Sequence, residues 1–390
     1  AVEKMRVRGK PTTRENLATL CDAGSFLEIG SLAVSTMGGT IERETARGIS
    51  PADGLVCGYA QINSDLFGAE ASRCMVMAFD PSVYGGTMGK IAKDKIERVL
   101  RIAKAGRRPL VLLVEGGGAR SGESENDIRD GVAKMEVFRL MAELKGRLPL
   151  IGIVAGNCFA GHAAFAGLCD VIIATPEASI GMAGPAMIEG AGLGRYAPEE
   201  IGPASVHSRT GVVDILVRTE AEAMETARRY LSYFQGDSAV VACDDQRRLR
   251  HVVPADRAHV YDMRDALHLL ADTGSVTELR ADFGQAMITA FCRIYGMPVG
   301  VLASNSRHMG GAIDAEASDK AAHFMQHCNV FGLPIVSFVD TPGFMVGPAA
   351  EQQALVRRVS RMFVAGAQLR VPLFTCVMRK CYGLGGVAMN

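Results

Sequence analysis

The stretch Pro109-Leu-Val-Leu-Leu-Val-Glu-Gly-Gly-Gly118 joins a continuous apolar run to three consecutive glycines. An apolar run of this length predicts a strand that is buried on both faces, as in a parallel sheet. The glycines that follow allow a sharp turn and leave backbone N–H groups unobstructed. The same order of features recurs in Pro334-Ile-Val-Ser-Phe-Val-Asp-Thr-Pro-Gly343, which lies 225 residues further along the chain. The sequence therefore indicates an internal repeat.

The repeat extends upstream of both strands. Gly86 and Gly311 are again 225 residues apart, and so are Lys95 and Lys320. Matches at one constant separation indicate two copies of a single structural unit rather than two unrelated domains.

Further upstream the separation changes. The segment 22–28 (DAGSFLE) is similar to 272–278 (DTGSVTE), but these segments are 250 residues apart. The first copy therefore contains 25 additional residues, and we predict that they form a loop within 35–54. The repeat predicts two tandem domains, residues 1–250 and 251–390, of which the second is incomplete.

Each copy alternates helical and strand patterns. In the first copy, apolar residues at helical spacing within 92–103 precede the strand at 109–114, and a second helix is predicted from Val132. Further strands are predicted at 150–155 and 170–174, with a helix from Gly161 to Leu168 between them. This alternation predicts an α/β fold with a mainly parallel sheet. Ligands bind such sheets at the carboxyl ends of strands, here residues 115–120 and 155–162.

The composition excludes several classes of function. Lysine and arginine number 42, and aspartate and glutamate also number 42, so the chain lacks the basic excess typical of nucleic-acid-binding proteins. No apolar run approaches the about 18 residues of a membrane span, and the N-terminus lacks a signal-peptide pattern. The ten cysteines form no C-x-x-C pair, which favours reduced thiols in a cytosol-like compartment. No ligand spacing predicts a metal site.

Two glycine-rich segments follow predicted strands and are candidates for binding an oxyanion. Taken alone, 115–122 is typical of a simple turn, whereas 156–164 also leads into a helix whose first N–H groups are unpaired. Two such amide clusters at neighbouring strand ends would bracket a carbonyl oxygen. The side chain of His162 could be a general base, but no carboxylate partner is evident, and a structural role is favoured.

Four segments resemble a known family. Residues 156–181 (GNCFAGHAAFAGLCDVIIATPEASIG) resemble the crotonase superfamily. The segments 115–123 (EGGGARSGE), 339–347 (VDTPGFMVG) and 379–386 (RKCYGLGG) resemble the carboxyltransferase (β) component of biotin-dependent acyl-CoA carboxylases, of the acetyl- and propionyl-CoA carboxylase type. That family is built from two crotonase-like halves, in agreement with the repeat. The resemblance implies two tandem crotonase-like α/β domains.

The resemblance also implies a reaction. Enzymes of this family move a carboxyl group from carboxybiotin to the α-carbon of an acyl-CoA, and the freed biotin nitrogen acts as the base. An enolate oxygen and the ureido oxygen of biotin then carry negative charge, and each needs preorganised donors. The donors implied are Gly117, Gly118, Ala119, Gly161 and His162 in the first copy, and Gly343, Phe344, Leu384, Gly385 and Gly386 in the second. The cofactor-binding residues implied are Arg120, Gly156, Thr341, Tyr382 and Val387.

The same resemblance implies partners. Biotin would be carried on a separate carrier protein and charged by a biotin carboxylase, while this chain forms a homo-oligomer (a dimer or a trimer of dimers) in the cytoplasm or mitochondrial matrix. No partner among nucleic acids or membranes is expected. Two alternatives stay open, namely the carboxyltransferase of a biotin-dependent decarboxylase and a non-catalytic assembly subunit. The acyl group also stays open, because Leu384-Gly-Gly-Val387 departs from the family's Gly-Gly-Ala-Tyr-Asp pattern.

Overall fold

The computed structural model describes residues 2–7, 9–36, 42–123, 136–239, 241–256 and 259–390. The chain forms two compact units, Ala1–His207 with Leu216–Leu231, and Ser208–Ile215 with Ser232–Asn390. The domain boundary at residue 250 stays a prediction, and residues from Ser232 onward already pack with the second unit.

The first unit is built on a seven-stranded sheet. Its strand order is β1-β2-β3-β4-β5-β7-β9, in which β1 to β3 pair antiparallel and β3, β4, β5 and β7 pair parallel. Strands β6 and β8 form a separate parallel pair. The strands are β1 (Leu27–Glu28), β2 (Leu55–Gln61), β3 (Arg73–Phe79), β4 (Leu110–Leu113), β5 (Leu150–Val154), β6 (Asn157–Phe159), β7 (Val171–Ala174), β8 (Ser179–Gly181) and β9 (Ile215–Leu216).

Helices connect these strands. The predicted amphipathic helix is α5 (Lys90–Gly106). Its apolar face, which includes Ala92 and Ile96, is buried against the sheet. The helices are α1 (Val2–Val7), α2 (Thr13–Leu20), α3 (Arg43–Ile49), α4 (Ser64–Ala71), α5 (Lys90–Gly106), α6 (Glu136–Leu144), α7 (Gly161–Leu168), α8 (Pro185–Gly190), α9 (Pro198–Ile201), α10 (Ala204–Thr210) and α11 (Glu220–Ser232).

Two local predictions need comment. The loop predicted within 35–54 is wrong in part, because residues 43–49 form α3 and Pro51–Gly54 form a 3-10 turn. The Glu, Ala and Arg residues of α3 are good helix formers. The loop prediction rested on the glycine content of 35–54 and did not take this helix propensity into account. The helix predicted from Val132 is described only from Glu136, because residues 124–135 lie outside the described part of the chain.

The second unit contains a five-stranded sheet in the order β10-β11-β12-β13-β14. Strands β10 to β12 pair antiparallel, and β12, β13 and β14 pair parallel. The strands are β10 (Thr277–Leu279), β11 (Met287–Ile294), β12 (Met297–Ser304), β13 (Ile335–Thr341) and β14 (Leu373–Cys381). The helices are α12 (Met263–Leu270), α13 (Ala315–Phe331), α14 (Pro348–Glu351), α15 (Leu355–Ala367) and α16 (Gly383–Ala388).

The two units repeat the same local structure. Helices α5 and α13 both have 17 residues and begin 225 residues apart. Each contains a buried lysine that donates to backbone carbonyl groups, Lys95 to Ala52 at 2.9 Å and Lys320 to Arg280 at 2.7 Å. Each lysine needs a backbone carbonyl at the corresponding position of its own unit. The repeat in the sequence is therefore also a repeat in the structure.

Candidate active site

In the first unit the two glycine-rich segments meet at one corner of the sheet. Residues 115–120 leave the carboxyl end of β4, and residues 156–160 lead from β5 into α7. A Cβ on Gly118 would lie 2.9 Å from Cβ of Ala160 and 3.7 Å from the nitrogen of Gly161. The two segments therefore touch, and we call 115–120 with 156–162 the first corner.

Backbone hydrogen bonds hold the two segments of this corner together. The Gly116 N–H donates to the Asn157 carbonyl at 2.7 Å, and the Phe159 N–H donates to the Gly116 carbonyl at 2.9 Å. On its other side, the loop is bonded to Met88, two residues before α5. The Met88 N–H donates to the Gly118 carbonyl at 2.9 Å, and the Arg120 N–H donates to the Met88 carbonyl at 2.8 Å. The loop is thus fixed from both sides.

Four predicted donors of the first corner remain available for a ligand. The Gly118 N–H is not among them, because it donates to Nδ1 of His162 at 3.0 Å. Within the described ranges, no acceptor faces the amide N–H groups of Gly117, Ala119, Gly161 and His162.

The side chain of His162 lies inside the first unit and supports the loop. It is fully buried, and its ring meets that of Phe79 edge to face with 4.3 Å between centroids. Burial lowers the pKa of His162 to about 4, although the Gly86 backbone opposes the shift. A neutral imidazole that accepts the Gly118 N–H is therefore present at physiological pH.

Arg120 also faces inward. Its guanidinium pairs with Asp53 and with Glu123, the latter at 3.3 Å, and donates to the Thr87 carbonyl at 2.9 Å. The group also lies over the ring of Tyr84, 4.7 Å from its centroid. The structure places this predicted cofactor-binding side chain in a buried ionic network that joins the glycine loop to the start of α5.

Gly156 lies where the second segment passes the side chain of Glu115. A Cβ at this position would collide with Oε1 of Glu115. Burial raises the pKa of Glu115, and the charge of Lys10 opposes the shift. No hydrogen bond or ion pair to this carboxylate is found in the described part of the chain. Glu115 lies in the predicted ligand-binding segment 115–120, but no role was predicted for its carboxylate.

The second unit contains a matching corner. Its loop, residues 341–345, leaves the carboxyl end of β13, and α16 follows β14. A Cβ on Gly385 would lie 2.7 Å from the carbonyl carbon of Gly343 and 2.9 Å from the nitrogen of Phe344. The first turn of α16 therefore packs directly on the loop backbone, and we call 341–345 with 382–387 the second corner.

Some predicted donors of the second corner are already engaged. Thr341 is buried; its hydroxyl donates to the Gly311 carbonyl at 2.7 Å and accepts from the Gly343 N–H at 3.1 Å. The Gly386 N–H donates to the Tyr382 carbonyl at 3.2 Å. Among the residues with described positions, nothing accepts from the N–H groups of Phe344, Leu384 and Gly385. The side chains of Tyr382, Leu384 and Val387 are exposed.

A buried carboxylate anchors the second corner. Asp340, which is fully buried, accepts from the Lys380 N–H at 3.1 Å and pairs with the Arg379 guanidinium at 3.2 Å. The Lys380 ammonium in turn donates to the Gly310 carbonyl at 2.7 Å. These contacts fix the strand segment that leads into α16, so the sequence motif 379–386 has a clear positioning role.

The described part of the chain contains no cluster of three or more His, Cys, Asp or Glu side chains arranged to hold a metal ion. No helix in the same ranges has the length and apolarity needed to cross a membrane.

A family model for the carboxyl transferase domain matches residues 4–390. The chain belongs to this family. The methylmalonyl-CoA carboxyltransferase 12S subunit of Propionibacterium freudenreichii subsp. shermanii is 31% identical, over 100% of this chain and 73% of the relative. The biotin-dependent acetyl-/propionyl-coenzyme A carboxylase beta5 subunit of Mycobacterium tuberculosis is 30% identical, over 98% of this chain and 71% of the relative. The methylmalonyl-CoA decarboxylase subunit alpha of Veillonella parvula is 31% identical, over 100% and 76%.

Solved structures agree with this assignment. A single-chain, multi-domain long-chain acyl-CoA carboxylase superposes with a TM-score of 0.95 at 50% identity, and the match covers 100% of this chain and 38% of that one. The transcarboxylase 12S structure with methylmalonyl-CoA and methylmalonic acid bound superposes with a TM-score of 0.87 at 31% identity, over 100% and 74%. The predicted crotonase-like α/β fold is confirmed, and so is the predicted class of enzyme, a carboxyltransferase of the biotin-dependent acyl-CoA carboxylase type. The roles of individual site residues stay predictions.

Proposed function

We propose that this carboxyltransferase moves a carboxyl group from carboxybiotin to the α-carbon of an acyl-CoA, with one oxyanion held at each corner. The observation that carries the proposal is the repetition of the corner itself. Each unit sets a glycine-containing loop against the first turn of a helix and leaves backbone N–H groups to which no described residue offers an acceptor. A reaction that develops two oxyanions needs two such sets of donors.

At the first corner the donors would act on the thioester. Loss of the α-proton moves negative charge onto the thioester oxygen, and the N–H groups of Gly117, Ala119, Gly161 and His162 are available to bind that oxygen. Gly117 and Ala119 belong to a loop fixed from both sides, and Gly161 and His162 begin α7, so these amides need little rearrangement as charge develops. The neutral His162 side chain acts as a positioning residue, since it holds the Gly118 amide.

At the second corner the donors suit the ureido oxygen of biotin. The free N–H groups of Phe344, Leu384 and Gly385 are neutral donors, and the exposed Tyr382 and Val387 side chains lie in the same short segment. When bound there, carboxybiotin supplies the carboxyl group. The chain's part is to bind and orient this group and to stabilise charge on its oxygen.

The direction of transfer has one alternative. The Veillonella relative is a decarboxylase subunit with about the same identity as the carboxyltransferases, and the same donors would serve the reverse reaction. A non-catalytic assembly subunit is disfavoured, because a scaffold has no need for unpaired amides at both corners.

We also propose that biotin carboxylase and the biotin carrier lie outside these 390 residues. In the long-chain acyl-CoA carboxylase relative the domains share a single chain, whereas other relatives are subunits. A homo-oligomer, either a dimer or a trimer of dimers, is part of the proposal, and hexamer assembly is described for the 12S relative. The compartment, cytoplasm or mitochondrial matrix, stays a prediction.

A pair of variants at Gly117 tests the proposal. Gly117 is exposed, and a Cβ there would meet only Cγ2 of Thr87, at an ordinary 3.6 Å. Gly117→Ala keeps the amide and should keep activity, whereas Gly117→Pro removes the N–H. Loss of one such donor lowers the rate by about 10²–10³-fold. The measurement is exchange of labelled carboxyl between malonyl- or methylmalonyl-CoA and free biotin, in the complete enzyme, with thermal unfolding of the same samples.

Two results would contradict the proposal. If folded Gly117→Pro exchanges carboxyl groups at the parent rate, the first corner does not stabilise the reaction. If the parent exchanges no carboxyl group with any acyl-CoA, the proposed carboxyl transfer is wrong, and the non-catalytic assembly subunit is favoured.

A further inference from the structure

An exposed apolar segment begins at the first corner. Strand β8 pairs with β6 in parallel so that Gly181 lies opposite Phe159, and the Ala160 N–H donates to the Gly181 carbonyl at 3.0 Å. The residue that follows, Met182, therefore leaves the sheet beside the residues that precede α7. We call residues 182–196 the apolar segment.

Large apolar side chains of this segment face solvent. A single exposed apolar side chain is ordinary on a protein surface, but several within 15 residues form a patch that indicates a binding site. Helix α8, which lies within the segment, has no buried residue. The exposed fractions are 74% for Met182, 66% for Met187, 70% for Leu193 and 47% for Tyr196.

Contacts hold the base of the segment against the corner. The Phe159 ring would lie 3.4 Å from a Cβ on Gly181 and 3.5 Å from one on Gly184, so the segment's backbone passes close over this ring. The start of the segment thus lies beside the first corner, and its unbranched methionine side chains can adapt their shape to an apolar ligand.

The charge of the segment argues for an apolar ligand. Its only charged residues are Glu189 and Arg195, which pair with each other at 2.5 Å. A charged peptide or a polyanion needs a charged side chain of opposite sign that is not already paired, and the segment offers none. An alkyl chain needs no charged partner.

We infer that the apolar segment binds the alkyl chain of the acyl-CoA whose thioester lies at the first corner, and that the enzyme prefers long-chain acyl-CoA. The inference rests on the proposed function and names its substrate class. Burial of each further methylene then tightens binding by about fourfold until the patch is covered. The 50% identity to a long-chain acyl-CoA carboxylase agrees with this preference.

The test compares chain lengths in the complete enzyme. KM is measured for propionyl-, octanoyl- and dodecanoyl-CoA with the parent and with Leu193→Ser. The control is Leu66→Ser, which removes an exposed leucine from α4 of the same unit. We expect the parent KM to fall with chain length, Leu193→Ser to raise KM for dodecanoyl-CoA about tenfold without changing that for propionyl-CoA, and Leu66→Ser to resemble the parent.

Each other outcome decides against the inference. A parent KM that is independent of chain length, with propionyl-CoA still carboxylated, overturns the inference but leaves the proposed function intact. A Leu193→Ser variant that sediments as a smaller species and keeps its chain-length preference assigns the segment to a subunit contact instead. Carboxylation of no acyl-CoA by the parent overturns the proposed function, and the inference with it.

Discussion

Gly118 shows how several demands meet at one residue. Its φ of +93° is a conformation that favours glycine, its N–H donates to His162, and a Cβ there would lie only 2.9 Å from Cβ of Ala160. Substitution here would disturb folding as well as any chemistry. For this reason the neighbouring Gly117, to which none of these three constraints applies, is the better probe of the amide donors.

The carboxyl group of Glu115 is expected to make stability depend on pH. Because burial raises its pKa above the ordinary 4.5, the folded protein holds more protons than the unfolded chain between 4.5 and the raised value. The free energy of unfolding contributed by this group therefore falls as pH rises through that window. Glu115→Gln should be more stable than the parent at neutral pH, and the difference should shrink as pH falls toward 4.5. Urea denaturation at several pH values measures this.

Asp340→Asn is the matched control at the equivalent position of the repeat. Asp340 is paired with Arg379, so its neutralisation leaves a cation largely buried without its partner and destabilises the protein by about 3 kcal/mol. Equal stabilities of parent and Glu115→Gln at every pH would show that Glu115 is not desolvated as the structure indicates.

At the scale of elements, α5 depends on acidic groups at its beginning. Asp53 accepts from the Ala92 N–H at 2.8 Å, and Glu123 accepts from the Lys90 N–H at 2.7 Å. Both carboxylates are buried, and Arg120 lies between them. This network of charged side chains joins the start of α5 to the glycine loop and to the turn at Pro51–Gly54, and we call it the ionic unit.

Arg120→Met tests this unit. It leaves two buried carboxylates without their cation, so we expect a loss of about 3–5 kcal/mol in the free energy of unfolding. Arg101→Met, which removes exposed pairs with Glu97 on the same helix and with Glu136 at the start of α6, should change stability little. If Arg120→Met unfolds like the parent but binds acyl-CoA more weakly in calorimetry, the cofactor-binding role predicted from the sequence is favoured instead.

The second corner depends on close contact between a helix and a loop. In Gly385→Ala the new Cβ would lie 2.7 Å from backbone atoms of Gly343, which cannot move without the loop. We expect carboxyl exchange to fall at least tenfold. The control is Gly366→Ala in α15, where no atom lies within 4 Å and the better helix propensity of alanine should stabilise the protein by about 1 kcal/mol. Parent-like exchange by Gly385→Ala would place the reaction elsewhere.

At the scale of the whole molecule, the two units supply similar chemistry from similar structure. The proposed reaction needs two oxyanion sites, and under the proposal each copy of the repeated unit supplies one. The chain alone should therefore catalyse carboxyl exchange with free biotin but not carboxylation driven by ATP and bicarbonate. Addition of a biotin carboxylase and a biotinylated carrier should restore ATP-dependent formation of carboxylated acyl-CoA. Incorporation of labelled bicarbonate measures both, and incorporation by the chain alone would contradict the proposal.

Much of the architecture follows from the sequence alone. A strand was predicted at 109–114 and is observed at 110–113, and the helix at 161–168 and the 225-residue repeat were likewise predicted from local patterns and confirmed by the structure. These features are local, because strand burial, helix periodicity and glycine turns each depend on a few neighbouring residues. The family follows from the same short motifs.

The tertiary structure alone decided which groups remain free to act. Gly118 and Gly117 are equivalent in the sequence, yet only Gly118 meets the ring of His162, 44 residues away. Arg120 is drawn inward by Asp53, 67 residues away, and Gly343 gives its N–H to the Thr341 hydroxyl. A hydrogen-bond partner distant along the chain leaves no local pattern. The sequence therefore specified where the corners lie, whereas long-range packing determined which of their amides, in the described part of the chain, lack an acceptor.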